Sequence, residues 1–163
     1  KLVEIFNPDG DKIAELELSS TWPTRGYVSD EFGSWDQFRK DLGLGPHSGT
    51  DIANEHGQIG EPVTTFMTGK IVYVDNDKAG DCGKSVKVEH DFNITSLYCH
   101  LDSAIELTPG TPVVPGDLIG YMGSTGTSTG AHLHLSIYVY GVLVNPRTFL
   151  TGEPKGTYET PTF

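Results

Sequence analysis

The sequence lacks the features of several well-known protein classes. No stretch approaches 18 consecutive apolar residues, so no membrane-spanning helix is predicted. Only 11 residues are Lys or Arg against 22 Asp or Glu, and a net charge of −11 excludes a role that needs a basic surface for nucleic acid. No internal repeat stands out. With only two cysteines, the sequence leaves open one disulfide or none.

What the sequence does contain indicates a mainly β protein. Its 163 residues suffice for one domain with a real core. Twenty glycines, ten prolines and a hydrophobic content of only 36% are typical of short strands joined by tight turns. We therefore expect an antiparallel β-sheet with one polar face that forms a groove.

Turn and capping signals divide the chain into three parts. Residues 1–27 are predicted to form a hairpin around the turn Asn-Pro-Asp-Gly, followed by a connection. Residues 28–150 form the main domain, and residues 151–163 hold too few apolar groups to pack firmly, so we expect a tail or linker. Ser34 and Gln37 have the spacing of a capping box, which predicts one short helix over 35–42.

A strand near the end of the chain poses the main chemical question. In "GAHLHLSIYVYG", residues 130–141, the odd positions from Leu133 are apolar and predict a core face. His132 and His134 occupy the opposite face side by side. A solvated sheet face would explain one histidine, but two adjacent ones call for a search for partners.

Two further motifs contain such partners. His47 and Asp51 form H-x-x-x-D, whose even spacing lets imidazole and carboxylate converge in an extended segment. In "LYCHL", strict alternation would put Tyr98 and His100 on one face and Cys99 on the other, where we expect Cys99 to be a small packing residue. Two His and one Asp, with water as the fourth ligand, suit a catalytic zinc ion. His56 and His90 lie outside these motifs and are expected at the surface or in turns.

These motifs carry a resemblance to a known family. "HSGTDIA", "YCHL", "GDLIGYMGSTGTSTGAHLHL" and the closing "VNP" occur in the order seen in lysostaphin-type, or LytM-like, zinc metallopeptidases of bacterial cell walls. The resemblance spans roughly residues 45–147. It implies a lysostaphin-like fold of barrel-sandwich-hybrid type with a substrate groove. It also implies zinc ligands His47, Asp51 and His134, and a catalytic pair made of His100 and His132.

The chemistry is consistent with these implied roles. No H-E-x-x-H motif is present, so the glutamate base of that class of metallopeptidases is missing. Histidine is the other side chain that titrates near neutral pH, and a histidine pair would position water and accept its proton.

Two departures from the family pattern accompany the resemblance. Asp30 and Glu31 stand where relatives often carry an arginine, which we interpret as a difference at the mouth of the groove. The segment "GDCGKS" replaces a Tyr-Gly-Asn-like turn, and we interpret it as a loop variation without chemical consequence. A lipoyl-type carrier domain, suggested by "DKA" and "PGDLIG", would be half this length and would not need the histidines.

The resemblance predicts a zinc endopeptidase that hydrolyses peptide cross-bridges of bacterial peptidoglycan. The alternative is a non-catalytic member that binds peptidoglycan or activates an amidase. Because the substrate lies outside the cytoplasm, we expect a secreted, wall-associated or phage-borne protein. The acidic charge would not favour adhesion to an anionic wall, and the chain begins without Met, so we expect it to be tethered to other domains of a longer chain.

Overall fold

The computed structural model describes residues 2–17, 21–77 and 80–155. Within them the chain is mostly antiparallel β-structure, as predicted. The elements are β1 (Leu2–Phe6), β2 (Lys12–Glu17), β3 (Tyr27–Asp30), α1 (Gln37–Asp41), β4 (Thr50–Ala53), β5 (Pro62–Thr64), β6 (Gly69–Asp75), β7 (Lys84–Glu89), β8 (Ile94–Ala104), β9 (Pro112–Val113), β10 (Leu118–Met122), β11 (His132–Val139), β12 (Val142–Val144) and a 3-10 turn (Pro146–Thr148).

One large sheet organises the domain. Its strand order is β3-β4-β11-β8-β7-β6-β9, every pairing is antiparallel, and β10 joins through β8 while β12 joins through β11. The strands β4, β11 and β8 are therefore neighbours, and they carry Asp51, the H-x-H motif and His100. None of the helices in the described residues is long and apolar enough to cross a membrane.

The two faces of β11 differ as the sequence predicts. Leu133, Leu135 and Ile137 are fully buried in the core, where Leu133 pairs with Ile52 of β4. Side chains alternate between the faces of a strand, so His132 and His134 point away from this core.

The middle of β8 departs from the predicted alternation. Val86 of β7 pairs with Tyr98, but Lys84 pairs with Leu101, so β8 holds one extra residue between these pairs. Within this β-bulge His100 has a left-handed backbone with φ of 65°. A bulge re-aims the side chains that follow it, and such bulges recur beside active sites.

Because of the bulge, the side chains of this segment lie on other faces than predicted. Tyr98 is fully buried and pairs with Leu135 on the core side, whereas Cys99 pairs with His134 on the opposite side. The His100 ring also lies on the His134 side, with its centroid 6.0 Å from that of His134. The prediction that Tyr98 and His100 share a face is wrong, because one inserted residue reverses the alternation.

Cys99 is bonded to another cysteine. Its sulfur forms a disulfide with Cys82, which lies just before β7, and the two Cα atoms are 4.9 Å apart. The bond closes a sequence separation of 17 residues. Cys99 is therefore one half of a covalent cross-link, which answers the open question of one disulfide or none, and its side chain is buried.

The helix begins two residues later than predicted. Its N-cap is Asp36, whose carboxylate accepts a hydrogen bond from the backbone N–H of Arg39 at 3.0 Å. The Ser34 hydroxyl instead donates to the carboxylate of Asp30. Gly43 follows the helix with φ of 69°, as the sequence predicts for a helix end.

Both ends of the described chain pack on the main domain. The hairpin of β1 and β2 places Ile5 in the hydrophobic core. Trp22 is buried and donates from Nε1 to the carbonyl of Thr151 at 2.8 Å, and Gly26 N–H donates to the carbonyl of Pro154. Parts of the predicted hairpin, connection and tail, residues 1, 18–20 and 156–163, lie outside the described residues.

Candidate active site

Three side chains converge on one point beside β11. Nε2 of His47 lies 3.2 Å from Oδ1 of Asp51 and 3.1 Å from Nδ1 of His134, and the last two atoms are 2.9 Å apart. Ligand atoms around a tetrahedral zinc ion, with bonds of about 2.0–2.2 Å, are separated by about 3.3 Å. The triangle therefore has the size of one face of such a tetrahedron, and the three residues could hold a metal ion.

Sheet register brings two of these residues together. His134 of β11 pairs directly with Asp51 of β4, and directly opposed residues point to the same face. His47 precedes β4 and is held by its backbone, whose N–H donates to the carbonyl of Ser34 and whose carbonyl accepts from Gly33, both at 2.9 Å. Residues distant in sequence thus reach one position through backbone pairing.

Hydrogen bonds at the outer ring nitrogens orient both imidazoles. Nδ1 of His47 lies 3.1 Å from the carbonyl oxygen of Glu31, so this nitrogen carries the proton and Nε2 keeps its lone pair. The Ser136 hydroxyl donates to the carbonyl of Ser48 and therefore accepts from Nε2–H of His134 at 2.8 Å. Each ring then presents its lone pair to the triangle, the tautomer that a metal requires.

Asp30 and Glu31 help to orient His47. A carboxylate oxygen of Asp30 is 3.3 Å from Nδ1 of His47. The Glu31 carboxylate forms an ion pair with Arg147, whose Nε lies 2.7 Å from it. The carboxylate of Asp30 therefore contacts His47, and that of Glu31 contacts Arg147.

Gly49, which the sequence analysis did not single out, makes room for His134. A Cβ atom at this position would lie 2.2 Å from the carbonyl oxygen of Leu135 and 2.9 Å from the His134 ring. The glycine inside H-x-G-x-D was the available signal, because a glycine within a chemical motif often marks a close approach of the backbone.

His100 and His132 stand beside the triangle as a pair. Their ring centroids are 4.7 Å apart, and Nε2 of His132 is 3.7 Å from Oδ2 of Asp51. Nδ1 of His100 donates to the carbonyl of Thr125 at 2.7 Å, and Nδ1 of His132 donates to that of Gly130 at 2.9 Å. Both rings therefore have Nε2 as their proton acceptor.

Electrostatics distinguish the members of the site. Burial alone would raise the pKa of Asp51, but hydrogen bonds from His134 and His47, which these rings donate when they are protonated in the absence of metal, hold that pKa far below its ordinary value. Burial opposes the charged form of His47, yet the hydrogen bond and charge of Asp51 raise its pKa overall. Burial lowers the pKa of His100, and the neighbouring histidines lower it further, so its ring is neutral at neutral pH.

The structure brings together all five residues predicted for the site and separates the other two histidines from it. His56 is exposed, as predicted. His90 lies at the turn between β7 and β8, which agrees with the expectation of a surface or turn position, but its side chain is only 8% exposed and so does not lie at the surface. Its Nε2 lies 2.8 Å from Oγ of Ser96, which is 2.9 Å from the buried hydroxyl of Tyr98. The chain turns between β7 and β8 and folds this ring over Phe66.

Comparison with known proteins identifies the family. The sequence profile of peptidase family M23 matches residues 45–146, more than half of the chain and all five site residues. The chain belongs to peptidase family M23. This membership agrees with the lysostaphin-type resemblance of its motifs.

Curated relatives of this M23 chain include enzymes and an activator. The DD-carboxypeptidase/endopeptidase Mpg of Neisseria meningitidis is 36% identical over 111 residues, which are 68% of this chain and 24% of Mpg. The murein hydrolase activator NlpD of Salmonella dublin is 33% identical over 129 residues, 79% of this chain and 30% of NlpD. The chain thus spans less than a third of the length of these relatives.

Solved structures share the fold. A zinc-containing peptidase from Vibrio cholerae superposes with a TM-score of 0.66 at 26% identity, covering 91% of this chain and 44% of that one. The catalytic domain of the antimicrobial peptidase lysostaphin from Staphylococcus simulans gives a TM-score of 0.65 at 29% identity, with 82% and 98% covered. The M23 fold of this chain is therefore lysostaphin-like.

Proposed function

We propose that this M23 chain is a zinc-dependent endopeptidase that hydrolyses peptide cross-bridges of bacterial peptidoglycan. The proposal is carried by one observation: a triangle of two imidazole nitrogens and one carboxylate oxygen, 2.9–3.2 Å on each side, lies next to a histidine pair. Two of its solved neighbours are described as peptidases, one of them as zinc-containing.

In this proposal His47, Asp51 and His134 hold the zinc ion. The set of one carboxylate and two imidazoles fits a catalytic site with an open position, and the only two cysteines are bonded to each other and so do not compete. Zinc there would lower the pKa of a bound water to about 7 and polarise the scissile carbonyl. One ligand carboxylate leaves the site with net positive charge, which favours a developing oxyanion.

His100 and His132 act as the proton-transferring pair. The carbonyls of Thr125 and Gly130 hold their Nδ1–H groups, so Nε2 of each ring is free to take a proton from the attacking water. The lowered pKa of His100 keeps this ring neutral and ready to accept. A protonated ring can then donate to the departing amine, which completes the hydrolysis of the peptide bond.

Similarity to NlpD favours a second candidate, a non-catalytic activator of another wall hydrolase. The match to NlpD covers 79% of this chain, whereas the match to Mpg covers 68% of it. The presence of a complete donor triangle and a histidine pair favours catalysis instead. We further propose that the protein works outside the cytoplasm, in a secreted, wall-associated or phage-borne form, as part of a longer chain.

Digestion of purified cell walls tests both candidates. Walls with glycine-rich and with direct cross-bridges are incubated with the protein and one equivalent of zinc, and released fragments are identified by mass spectrometry. New peptide termini that disappear in Asp51→Asn support the endopeptidase and identify the bond. Absence of fragments from every wall, together with faster release by an added amidase, would replace it with the activator.

A further inference from the structure

The Cys82–Cys99 disulfide lies next to the backbone of His100. Cys99 directly precedes His100 in β8, and the backbone N–H of His100 donates to the carbonyl of Cys82 at 2.8 Å. The covalent bond and this hydrogen bond thus join the same two segments, residues 82–83 and 99–100. The segment "GDCGKS" that contains Cys82 therefore contacts the backbone of His100, and this contact argues against the expectation that the segment lacks chemical consequence.

His100 needs such support because its backbone conformation is unfavourable. Its φ of 65° places a residue with a side chain in the left-handed region, where Cβ approaches the following carbonyl oxygen too closely. Residues held in this region persist only where surrounding contacts determine them. The bulge aims His100 at the site, and relaxation of the bulge would turn its ring away.

The same segment also positions the partner of the His100 ring. Gly83 packs so tightly on Thr125 that an added Cβ would lie 2.5 Å from the Thr125 carbonyl carbon. Lys84 N–H donates to Oγ1 of Thr125, and this hydroxyl donates to the carbonyl of Leu101. The Thr125 carbonyl in turn accepts from Nδ1 of His100. The ring and its acceptor are therefore both fixed through residues 82–84.

We propose that the Cys82–Cys99 disulfide is a positioning element for His100, an inference that rests on the proposed function. It holds residues 82–84 against β8, and this segment sets both the backbone of His100 and the Thr125 carbonyl that fixes its tautomer. The contacts that orient the donor triangle come instead from Glu31, Ser48 and Ser136. Loss of the disulfide should therefore reduce turnover without releasing zinc.

The first test is the double variant Cys82→Ser/Cys99→Ser, which removes the bond and leaves no free thiol to bind metal. We expect one equivalent of zinc, an unchanged KM and a kcat lowered about tenfold to a hundredfold, which is no more than the smallest loss expected when a general base is removed outright. The His100 ring should change from the single Nδ1–H tautomer to a mixture of both tautomers, which nitrogen-15 NMR of the ring measures.

Ile71→Ala is the matched control for general destabilisation. Ile71 is buried in β6 and its loss leaves a cavity, so this variant can be compared at temperatures where both proteins are folded. It should keep kcat and the His100 tautomer. If the double variant keeps both as well, or if Ile71→Ala loses both equally, the disulfide has no positioning role.

A second variant keeps the disulfide and displaces the segment. Gly83→Ala forces a Cβ into Thr125 at a position with φ of 66°, and it should reproduce the loss of kcat and of the single tautomer. Gly10→Ala is its control, because Gly10 has φ of 89° but open space around it. Full kcat and an unchanged tautomer in Gly83→Ala would overturn the proposal. The tautomer measurement remains decisive even if the unmodified protein cuts no cell wall, a result that would refute the proposed function separately.

Discussion

Ser136 lies two residues beyond His134 on the same face of β11 and accepts a hydrogen bond from its Nε2–H at 2.8 Å. The Ser136 hydroxyl is committed as an acceptor because it donates to the carbonyl of Ser48. This contact selects the His134 tautomer whose Nδ1 lone pair faces Asp51. Residues that orient metal ligands in this way typically contribute 10- to 100-fold to metal affinity.

Ser136→Ala should therefore weaken zinc binding about 10- to 100-fold while the fold is kept. Competition with a fluorescent zinc chelator measures the affinity. Ser85→Ala is the control, since Ser85 is also fully buried but its hydroxyl has no hydrogen-bond partner among the described residues. Equal zinc affinity in Ser136→Ala and the unmodified protein would show that the contact does not select the tautomer.

Gly49→Ala should damage the site by steric overlap. Its new Cβ would meet the Leu135 carbonyl at 2.2 Å and the His134 ring at 2.9 Å, so the backbone or the ring must move. We expect a loss of about 1–3 kcal/mol in the free energy of unfolding and weaker zinc binding. Gly45→Ala, which has open space, should change stability by no more than about 0.5 kcal/mol. Similar unfolding curves and zinc contents for the two variants would refute the close approach.

Zinc and protons should compete for the donor triangle. Two neutral imidazoles are required, and Asp51 raises the pKa of His47, so zinc should leave as the pH falls below about 6. In chelator-treated protein the raised pKa of His47 stabilises the fold below about 6.5, and this contribution is lost as pH rises through the folded-state value. The lowered pKa of Asp51 stabilises it above about 3.9, a contribution lost at more acidic pH.

The stabilising effect of zinc should consequently grow with pH. The difference in Tm between zinc-loaded and chelator-treated protein should be small at pH 5 and large at pH 8. His134→Ala should show no such difference at either pH. Retention of one full equivalent of zinc after dialysis at pH 4 would contradict this set of ligands.

His90 should give the folded protein a separate sensitivity to acid. Burial lowers its pKa, so the unfolded chain binds a proton more readily than the folded one. Its contribution therefore decreases as pH falls from about 6.5 toward the folded-state pKa. Chemical denaturation in the presence of chelator, between pH 7.5 and 5, should show a smaller decrease for His90→Gln than for the unmodified protein. Identical pH slopes would mean that His90 is not the group responsible.

The alternation of apolar and polar residues predicted the faces of one central strand, β11, but not those of its neighbour, β8. The alternation of β11 gave the core face correctly, since Leu133 and Leu135 are fully buried and His134 points to the site. The same reasoning failed in β8, because a single extra residue near His100 shifts the alternation, so that Leu101 and not His100 follows Tyr98 on the core face. A bulge depends on pairing with distant strands and leaves no local pattern that alternation can detect.

The sequence also predicted which site residues would meet but not what holds them. H-x-x-x-D and H-x-H are local motifs, whereas the acceptors Glu31 and Thr125 use backbone carbonyls, which every residue possesses. The sequence left open whether Cys82 and Cys99 are bonded for a similar reason, since two cysteines 17 positions apart pair only if the fold brings them together, here through the pairing of β7 with β8. Partners of this kind cannot be identified from residue types and become visible only in the folded structure.

The two histidines of H-x-H should respond differently to the same substitution. His134 belongs to the donor triangle, 2.9 Å from Asp51, so His134→Ala should lose tightly bound zinc and activity together. His132 stands beside the triangle, with Nε2 3.7 Å from the second oxygen of Asp51. His132→Ala should therefore retain nearly one equivalent of zinc while turnover falls about 10²–10⁴-fold, the usual effect of losing a general acid or base. His100→Ala should behave like His132→Ala. Zinc content by atomic emission, measured together with peptide release from cell walls, distinguishes the two roles. Equal zinc loss in both H-x-H variants would mean that the roles are wrongly assigned. Full activity in His132→Ala would remove this residue from the mechanism.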